Sequence, residues 1–424
     1  MDIASTQDYA DRPADDIAAD QSSPPALSRG RKLFFGAFML FGALLFAEAV
    51  LWFGFPVPPP YALDPNHPDV RGYNRYVAAE YPANAVFRGE ANGSITPGID
   101  GPVTISFNQY GFRGPELASV SKPADTLRVF CVGGSTTACL NLDDADTWPA
   151  QLQRMLAERF PDRRIEVVNC GVNAETTRGD INMIAHRVLP FAPDLVIMHP
   201  GINDWMISKA PDYSPARTEV GSYRSGRYEY LYRKLKWMGV KEVLSASQLF
   251  RRMVYLKRGV AGDGGDDDDW DIGGKSLVRL RRQQASRQVV PMTDELMQPR
   301  SELTDNLRLS MAMCRARGAR ALLLTQPVLW EDNMPDEHRK LCWMGFNGDV
   351  TYSPGDLEQM MSAYNAAMKG LADELGVPVV DAASVLPKDT SIFFDDCHFN
   401  VRGAERMAGL IADAIVQRGL LAGG

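Results

Sequence analysis

The sequence is poor in histidine and has no excess of positive charge. Only five histidines occur in 424 residues, so each can be weighed singly as a base or a ligand. The formal net charge is −8 and the pI lies near 5.3. That balance argues against nucleic acid as a partner, because phosphate backbones are gripped by clustered Lys and Arg. Six cysteines (Cys131, Cys139, Cys170, Cys314, Cys342 and Cys397) show no C-x-x-C spacing, which speaks against a zinc site. They are also too sparse for a disulfide scaffold. No G-x-x-x-x-G-K-[ST] is present, so a P-loop is excluded. Nothing in the chain calls for a metal or an organic cofactor.

Long apolar runs are equally scarce, with one exception near the N-terminus. Residues 1–28 are rich in Asp, Ala, Ser and Pro and read as disordered. Arg29, Arg31 and Lys32 follow, and then Leu33 to Phe55 is apolar throughout except for Glu48. At about 1.5 Å per residue this run crosses a bilayer core of roughly 30 Å. Trp52 and Phe53 sit near its end, where interfacial aromatics belong. The expectation is a disordered cytoplasmic tail (1–32) and an uncleaved transmembrane anchor (33–56). Basic residues before the span hold the N-terminus in the cytoplasm and send the rest to the periplasm or cell exterior. A cleaved signal peptide is the rival, because Ala47-Glu48-Ala49 has an A-x-A look; the long preceding segment and the continuation of the run past that point weigh against it. A buried soluble helix is disfavoured by the lack of any polar face. Glu48 belongs near the outer end of the span or against a partner helix, since charge deep in lipid is costly.

A Pro-rich stretch from Pro56 to Tyr61 then reads as a semi-rigid linker, opening an irregular extension with short strands (57–126). From Leu127 the pattern changes. Short apolar runs suited to parallel strands (128–132, 164–169, 194–198, 321–325 and 377–381) alternate with amphipathic stretches. In Asp356–Leu375, for example, Leu357, Met360, Met361, Tyr364, Met368, Leu371 and Leu375 share one face, and Gly376 ends the helix. Such alternation implies a parallel sheet covered on both faces, over residues 127–420. A helical and acidic insertion at about 206–300 interrupts it.

Ligands in such sheets sit at the carboxyl ends of the strands, so the residues there carry the argument. They are Gly133-Gly134-Ser135-Thr136, Asn169-Cys170-Gly171, Gly201-Ile202-Asn203-Asp204 and Asp395-Asp396-Cys397-His398. Together they offer a hydroxyl, a backbone N–H beside a small residue, a side-chain amide and an acid–imidazole pair. That set can perform acyl transfer. Ser135 would attack a carbonyl, and His398 would take its proton and return it to the leaving oxygen. Asp395, three residues earlier, would hold the other ring nitrogen. The N–H groups of Ser135 and Gly171 and the Asn203 amide would hold the oxyanion.

In order along the chain, G-G-S-T, N-C-G, G-I-N-D and D-D-C-H resemble the blocks of the SGNH (GDSL-like) hydrolases. The resemblance runs from about Asn108 to Leu420, and the early N-Q-Y-G-F-R-G looks like the approach segment of membrane-anchored members. It implies a three-layer α/β/α flavodoxin-like fold with a central parallel sheet of about five strands, plus the N-terminal transmembrane helix and the helical insertion. It also implies a serine-dependent carboxylic ester hydrolase acting on an acyl or acetyl ester of an envelope glycan or lipid. Two positions depart from the pattern. Gly134 stands where the family often has Asp, and N-C-G-V-N-A lacks a further glycine often seen in the second block.

Other readings of the same residues stay open. Ser135 could mark a plain turn or an anion nest, and Asn203-Asp204 a helix cap. Asp204 reads as structural, holding the loop that presents Asn203; Asp396 competes with Asp395, but the spacing favours Asp395. His199 reads as a pocket wall, and His67, His186 and His338 as ordinary surface or packing residues. In the insertion, Y-E-Y-L-Y-R-K-L-K-W-M and S-Q-L-F-R-R-M-V-Y-L-K-R are basic and aromatic. They suit a lid, a surface on anionic lipid, or two packed helices. G-D-G-G-D-D-D-D-W-D does not fit an EF-hand and reads as a disordered acidic loop. With the same triad the chain could instead be an O-acyltransferase modifying an exported polysaccharide, which would need a partner membrane protein to deliver the acyl group. A non-catalytic glycan-binding module is the third alternative.

Overall fold

A computed structural model of the chain describes residues 28–56, 81, 83–208, 244, 246–260 and 272–421. The expected disordered tail up to residue 27, most of the Pro-rich linker, His67, the Tyr-rich stretch at 228–238 and the acidic run at 262–271 lie outside the described residues. The chain divides into two compact units, residues 1–62 with 240–264 and residues 63–239 with 265–424.

The first unit holds a helix over Arg29–Gly54, none of whose residues is buried. It is long and apolar enough to cross a membrane. The helix starts at Arg29, so the three basic residues form its first turn. A second helix, Gln248–Val260, packs against it.

The second unit opens with an antiparallel pair, β1 (Val86–Ala91) and β2 (Gly101–Ser106). Next come β3 (Thr126–Gly133), β4 (Arg164–Asn169) and β5 (Leu195–His199). The short strands β6 (Gln288–Val289), β8 (Phe346–Asn347) and β9 (Val350–Thr351) form a small sheet of their own. β7 (Arg320–Leu324) and β10 (Val379–Val380) complete the main one. The main sheet has five parallel strands in the order β10-β7-β5-β3-β4. Every residue of β3 and β5 is buried, because a central strand between two helical layers has no solvent face. On one side the Trp148–Arg159 helix packs with the Val401–Gln417 helix. On the other, Ser301–Ala316 packs with Thr177–Met183 and Pro354–Leu375. The Pro354–Leu375 helix buries the apolar stripe read from sequence and stops at Gly376, whose φ of 64° suits glycine.

This is the flavodoxin-like order, and it reverses between β3 and β5. The gap beyond their carboxyl ends is the topological switch point. Arg113, from N-Q-Y-G-F-R-G, fastens the chain on one side of that gap. Its guanidinium is buried, pairs with Asp144 at 3.1 Å, and donates to the carbonyls of Ala138, Cys139 and Leu142. The extension ahead of the sheet thus braces the segment that follows Ser135.

Candidate active site

β3 runs into Gly133 and Gly134, and Ser135 opens a one-turn helix, Ser135–Ala138. The turn is tight because its neighbours are close. A Cβ on Gly134 would stand 2.5 Å from the Asn203 Nδ2, so a side chain there would require the Asn203 amide to shift. A Cβ on Gly171 would stand 2.2 Å from the Ala138 backbone nitrogen, so glycine there lets the loop after β4 lie directly on the Ser135 helix.

The Ser135 Oγ lies 2.7 Å from His398 Nε2. On the other side of the ring, His398 Nδ1 lies 2.8 Å from Asp395 Oδ2 and 2.9 Å from Oδ1. Asp395 Oδ1 also accepts the backbone N–H groups of His398 (2.9 Å) and Cys397 (3.0 Å). This local loop is what the three-residue spacing allows. Burial alone would raise the Asp395 carboxyl, but the imidazole and these hydrogen bonds outweigh it and hold it below the usual carboxylate value. Burial likewise pushes the His398 imidazole down, and the Asp395 charge, with a smaller contribution from Cys397, overrides that and sets it well above the usual histidine value.

Asp396 does something else. It is buried, and it accepts the Trp330 indole N–H at 2.9 Å and the backbone N–H groups of Trp343 (2.7 Å) and Met344 (3.1 Å). Burial and the adjacent Asp395 raise its pKa to about 6, against the pull of those three bonds. Asp396 therefore pins the Trp343 loop, and Trp343 in turn donates its indole N–H to Asp395 Oδ2 at 2.9 Å. Its ring is within 3° of parallel to the His398 ring, with centroids 6.5 Å apart. Nothing in the spacing of L-C-W-M-G points to this tryptophan.

Asn203 opens toward the same place from the end of β5. Its Nδ2 donates to the Glu175 carbonyl at 2.8 Å, which leaves its second N–H for another acceptor. Asp204 behaves as expected of a brace: it takes the Thr177 hydroxyl at 2.6 Å and the Thr177 N–H. Burial raises its pKa to about 6, with the Thr177 bonds opposing. Gly171 is placed differently from the expectation. Its N–H is committed to Asn169 Oδ1 at 2.9 Å, and Asn169 also donates to the Thr137 carbonyl. Gly171 supports the turn from beneath, while Ala174, three residues on, lines the cavity with a φ of 58°. A positive φ is where glycine is at home, and Ala174 is the last residue of the block N-C-G-V-N-A that lacks its further glycine. The missing glycine was the one available signal for this position.

Ser135, His398, Asp395 and Asn203 all line a cavity of about 440 Å³. Its walls are mostly apolar and include Leu140, Leu142, Met206, Leu277 and Phe394. Leu277 and Leu280 come from the Lys275–Ala285 helix, so the insertion supplies part of the wall. That helix is tied down by Arg281, which donates to the carbonyls of Leu341 (2.9 Å), Ile95 (2.7 Å) and Phe394 (2.9 Å). His199 is not part of the wall. It is buried behind it, stacked on Phe399 and 3.4 Å from the Thr136 hydroxyl, and burial lowers its pKa to about 3. All six cysteines are free and buried. Asp395, Cys397 and His398 are the one group among the described residues close enough to share a metal. They do not fit one, because the Asp395 oxygens and both His398 ring nitrogens are already engaged within the protein.

Known proteins are similar to this chain in several ways. Over 95 residues it is 32% identical to esterase TesA of Pseudomonas aeruginosa. That stretch spans 22% of this chain and 46% of the relative, about half of its length. Among solved structures, TesA (15% identity, 69% of this chain and 99% of that one) and the acetylxylan esterase Axe2 of Geobacillus stearothermophilus (17%, 68% and 94%) each align with a TM-score of 0.36. The enzyme LAE5 from the Lake Arreo metagenome aligns with a TM-score of 0.35 at 18% identity, covering 70% and 97%. The decisive match is to a family as a whole. It covers residues 131–406, more than half of the chain and all of the residues gathered around the cavity from the main sheet. The chain belongs to the GDSL-like lipase/acylhydrolase family.

Proposed function

We propose that this serine ester hydrolase uses Ser135 as nucleophile, His398 as general base and acid, and Asp395 to orient and charge-stabilise the imidazole. The observation that carries the reading is the continuous line from Asp395 Oδ2 through the ring to the Ser135 Oγ, at 2.8 Å and 2.7 Å, opening into a largely apolar cavity. With Nδ1–H held by Asp395, Nε2 is left to accept the serine proton. Attack then forms the acyl-enzyme, and His398 protonates the leaving alkoxide; water repeats the sequence and releases the acid. We place the Asn203 amide and the N–H of Ser135 at the oxyanion. The third donor we assign to Ala174 rather than Gly171, whose N–H is already taken. Asn203→Ala should lower kcat by about 10²–10³-fold with little change in fold, the usual loss for one oxyanion donor. An unchanged kcat in that variant argues against the assignment.

The substrate we propose is an acyl or acetyl ester of an envelope glycan or lipid. Two features support it. The cavity walls around Ser135 suit an apolar acyl group, and the Arg29–Gly54 helix suits a single-pass anchor in the plasma membrane with the catalytic unit outside the cytoplasm. A series of p-nitrophenyl esters from acetate to octanoate tests the acyl side. While each added methylene stays within the cavity, kcat/KM should rise by up to about fourfold per carbon, the equivalent of about 0.8 kcal/mol. A flat series would mean that the apolar walls do not bind the acyl chain, and a fall from acetate onward would mark a preference for acetyl esters.

A further inference from the structure

Beyond its basic first turn, the apolar helix Arg29–Gly54 carries one charge, Glu48, and the structure gives that charge a partner. Glu48 Oε2 accepts the Ser247 hydroxyl and the Leu249 N–H, each at 3.1 Å, and Oε1 accepts the Gln248 N–H. These are N–H groups at the start of the Gln248–Val260 helix, where helical donors have no partner of their own and negative charge is favoured. The Ser247 hydroxyl accepts the Phe250 N–H at 3.1 Å and completes the cap. One and two turns beyond Glu48, on the same face, Trp52 lies under the Arg251 guanidinium at 5.1 Å, and the Phe55 carbonyl accepts from Arg252. The two helices are thus clasped at the end of the apolar run.

The clasp turns one face of the second helix inward and leaves another without cover. Met253 is 59% exposed and Leu256 is 68% exposed, one turn apart. Leu249 continues their line. The thirteen residues of this helix include Arg251, Arg252, Lys257 and Arg258 and no acid. An apolar stripe beside basic residues is the composition of a helix lying in the plane of a membrane interface, and the helix it packs against is itself apolar and unburied, with Phe53 near its end at 91% exposure.

We propose that Gln248–Val260 is an interfacial helix, held by Glu48 at the outer end of the anchor, that seats Met253 and Leu256 in a bilayer of anionic lipid. The proposal rests on reading Arg29–Gly54 as a membrane span. It assigns a use to a sequence that otherwise places a carboxylate in an apolar helix. It also makes Glu48 part of the folded protein, which cleavage after Ala49 would remove.

The test uses the full chain reconstituted in vesicles of phosphatidylcholine, with and without phosphatidylglycerol. A fluorophore is attached at Met253→Cys in one preparation and Leu256→Cys in another; both sites are exposed, and the native cysteines are buried. Quenching by lipids carrying a shallow nitroxide should exceed quenching by aqueous iodide several-fold at both positions, and more so with phosphatidylglycerol. Retention after a carbonate wash without lipid quenching at either site overturns the interfacial helix alone. Equal lipid quenching in the two vesicle types overturns the preference for anionic lipid. Release of the protein by carbonate overturns the span and this proposal with it. Glu48→Leu should abolish most of the lipid quenching while leaving ester hydrolysis unchanged; undiminished quenching in that variant refutes the clasp.

Discussion

Replacing Ser135 by Ala should lower kcat for an activated ester by about 10⁴–10⁶-fold and leave the fold intact. The size follows from the unity of the site: without the hydroxyl there is no acyl-enzyme, and only the oxyanion donors and binding remain. Stability should change little, because the one-turn helix does not depend on the serine side chain. Gly134 caps it without a side-chain bond, and the Arg113 clamp holds its far end. The variant loses one hydrogen bond, to His398, worth about 1 kcal/mol. Thermal unfolding and ester hydrolysis measured on the same preparation separate the two effects. Near-native hydrolysis with native unfolding would remove Ser135 from the mechanism.

Asp395→Asn should cost about 10⁴-fold in kcat and also move the pH profile. The carboxylate accepts four hydrogens, from His398 Nδ1, the His398 and Cys397 backbones and the Trp343 indole, the ring hydrogen being shared between both oxygens. In the amide, one oxygen can still face the backbone N–H groups. The nitrogen then points donors at the Trp343 N–H and at Nδ1, which pushes the ring proton to Nε2 and blocks acceptance from Ser135. The sign of the pH effect follows from the causes. Neutral His398 is the active form, and Asp395 sets its pKa well above the usual histidine value against the downward push of burial. Wild-type kcat/KM should therefore rise with pH along an acid limb above 6.5. In Asp395→Asn the charge is gone and burial remains, so the residual activity should show its limb at lower pH. A limb in the same place in both proteins would mean that Asp395 does not set the imidazole.

The sequence carried the fold because a parallel sheet buried on both faces writes itself as short apolar runs. All five main strands stand where those runs are, and the Met- and Leu-rich stripe before Gly376 is the buried face of a helix. The gathering of Ser135, Asn203, Asp395 and His398 was legible for a related reason: each follows a strand or precedes a helix at the same edge of one sheet, and Asp395 and His398 are three residues apart. The hidden parts depend on irregular backbone. Trp343 reaches Asp395 from a loop whose course is set by Asp396, and no periodicity encodes that path. The choice between Gly171 and Ala174 turns on which way one loop lies over the Ser135 helix. Arg113 and Arg281 brace the site through backbone carbonyls, which look the same for every residue in a sequence. Glu48 was readable as a charge needing a partner, but its partner lies about 200 residues away along the chain.

The most direct test of the account is a fluorophosphonate probe followed by peptide mass spectrometry. The probe reacts with a serine that a neighbouring base has activated and leaves idle hydroxyls alone. A single adduct on Ser135 is expected in the folded protein, formed far more slowly in His398→Ala and absent after denaturation. No adduct on Ser135, or labelling that is indifferent to the loss of His398, would contradict the claim that this serine is the nucleophile.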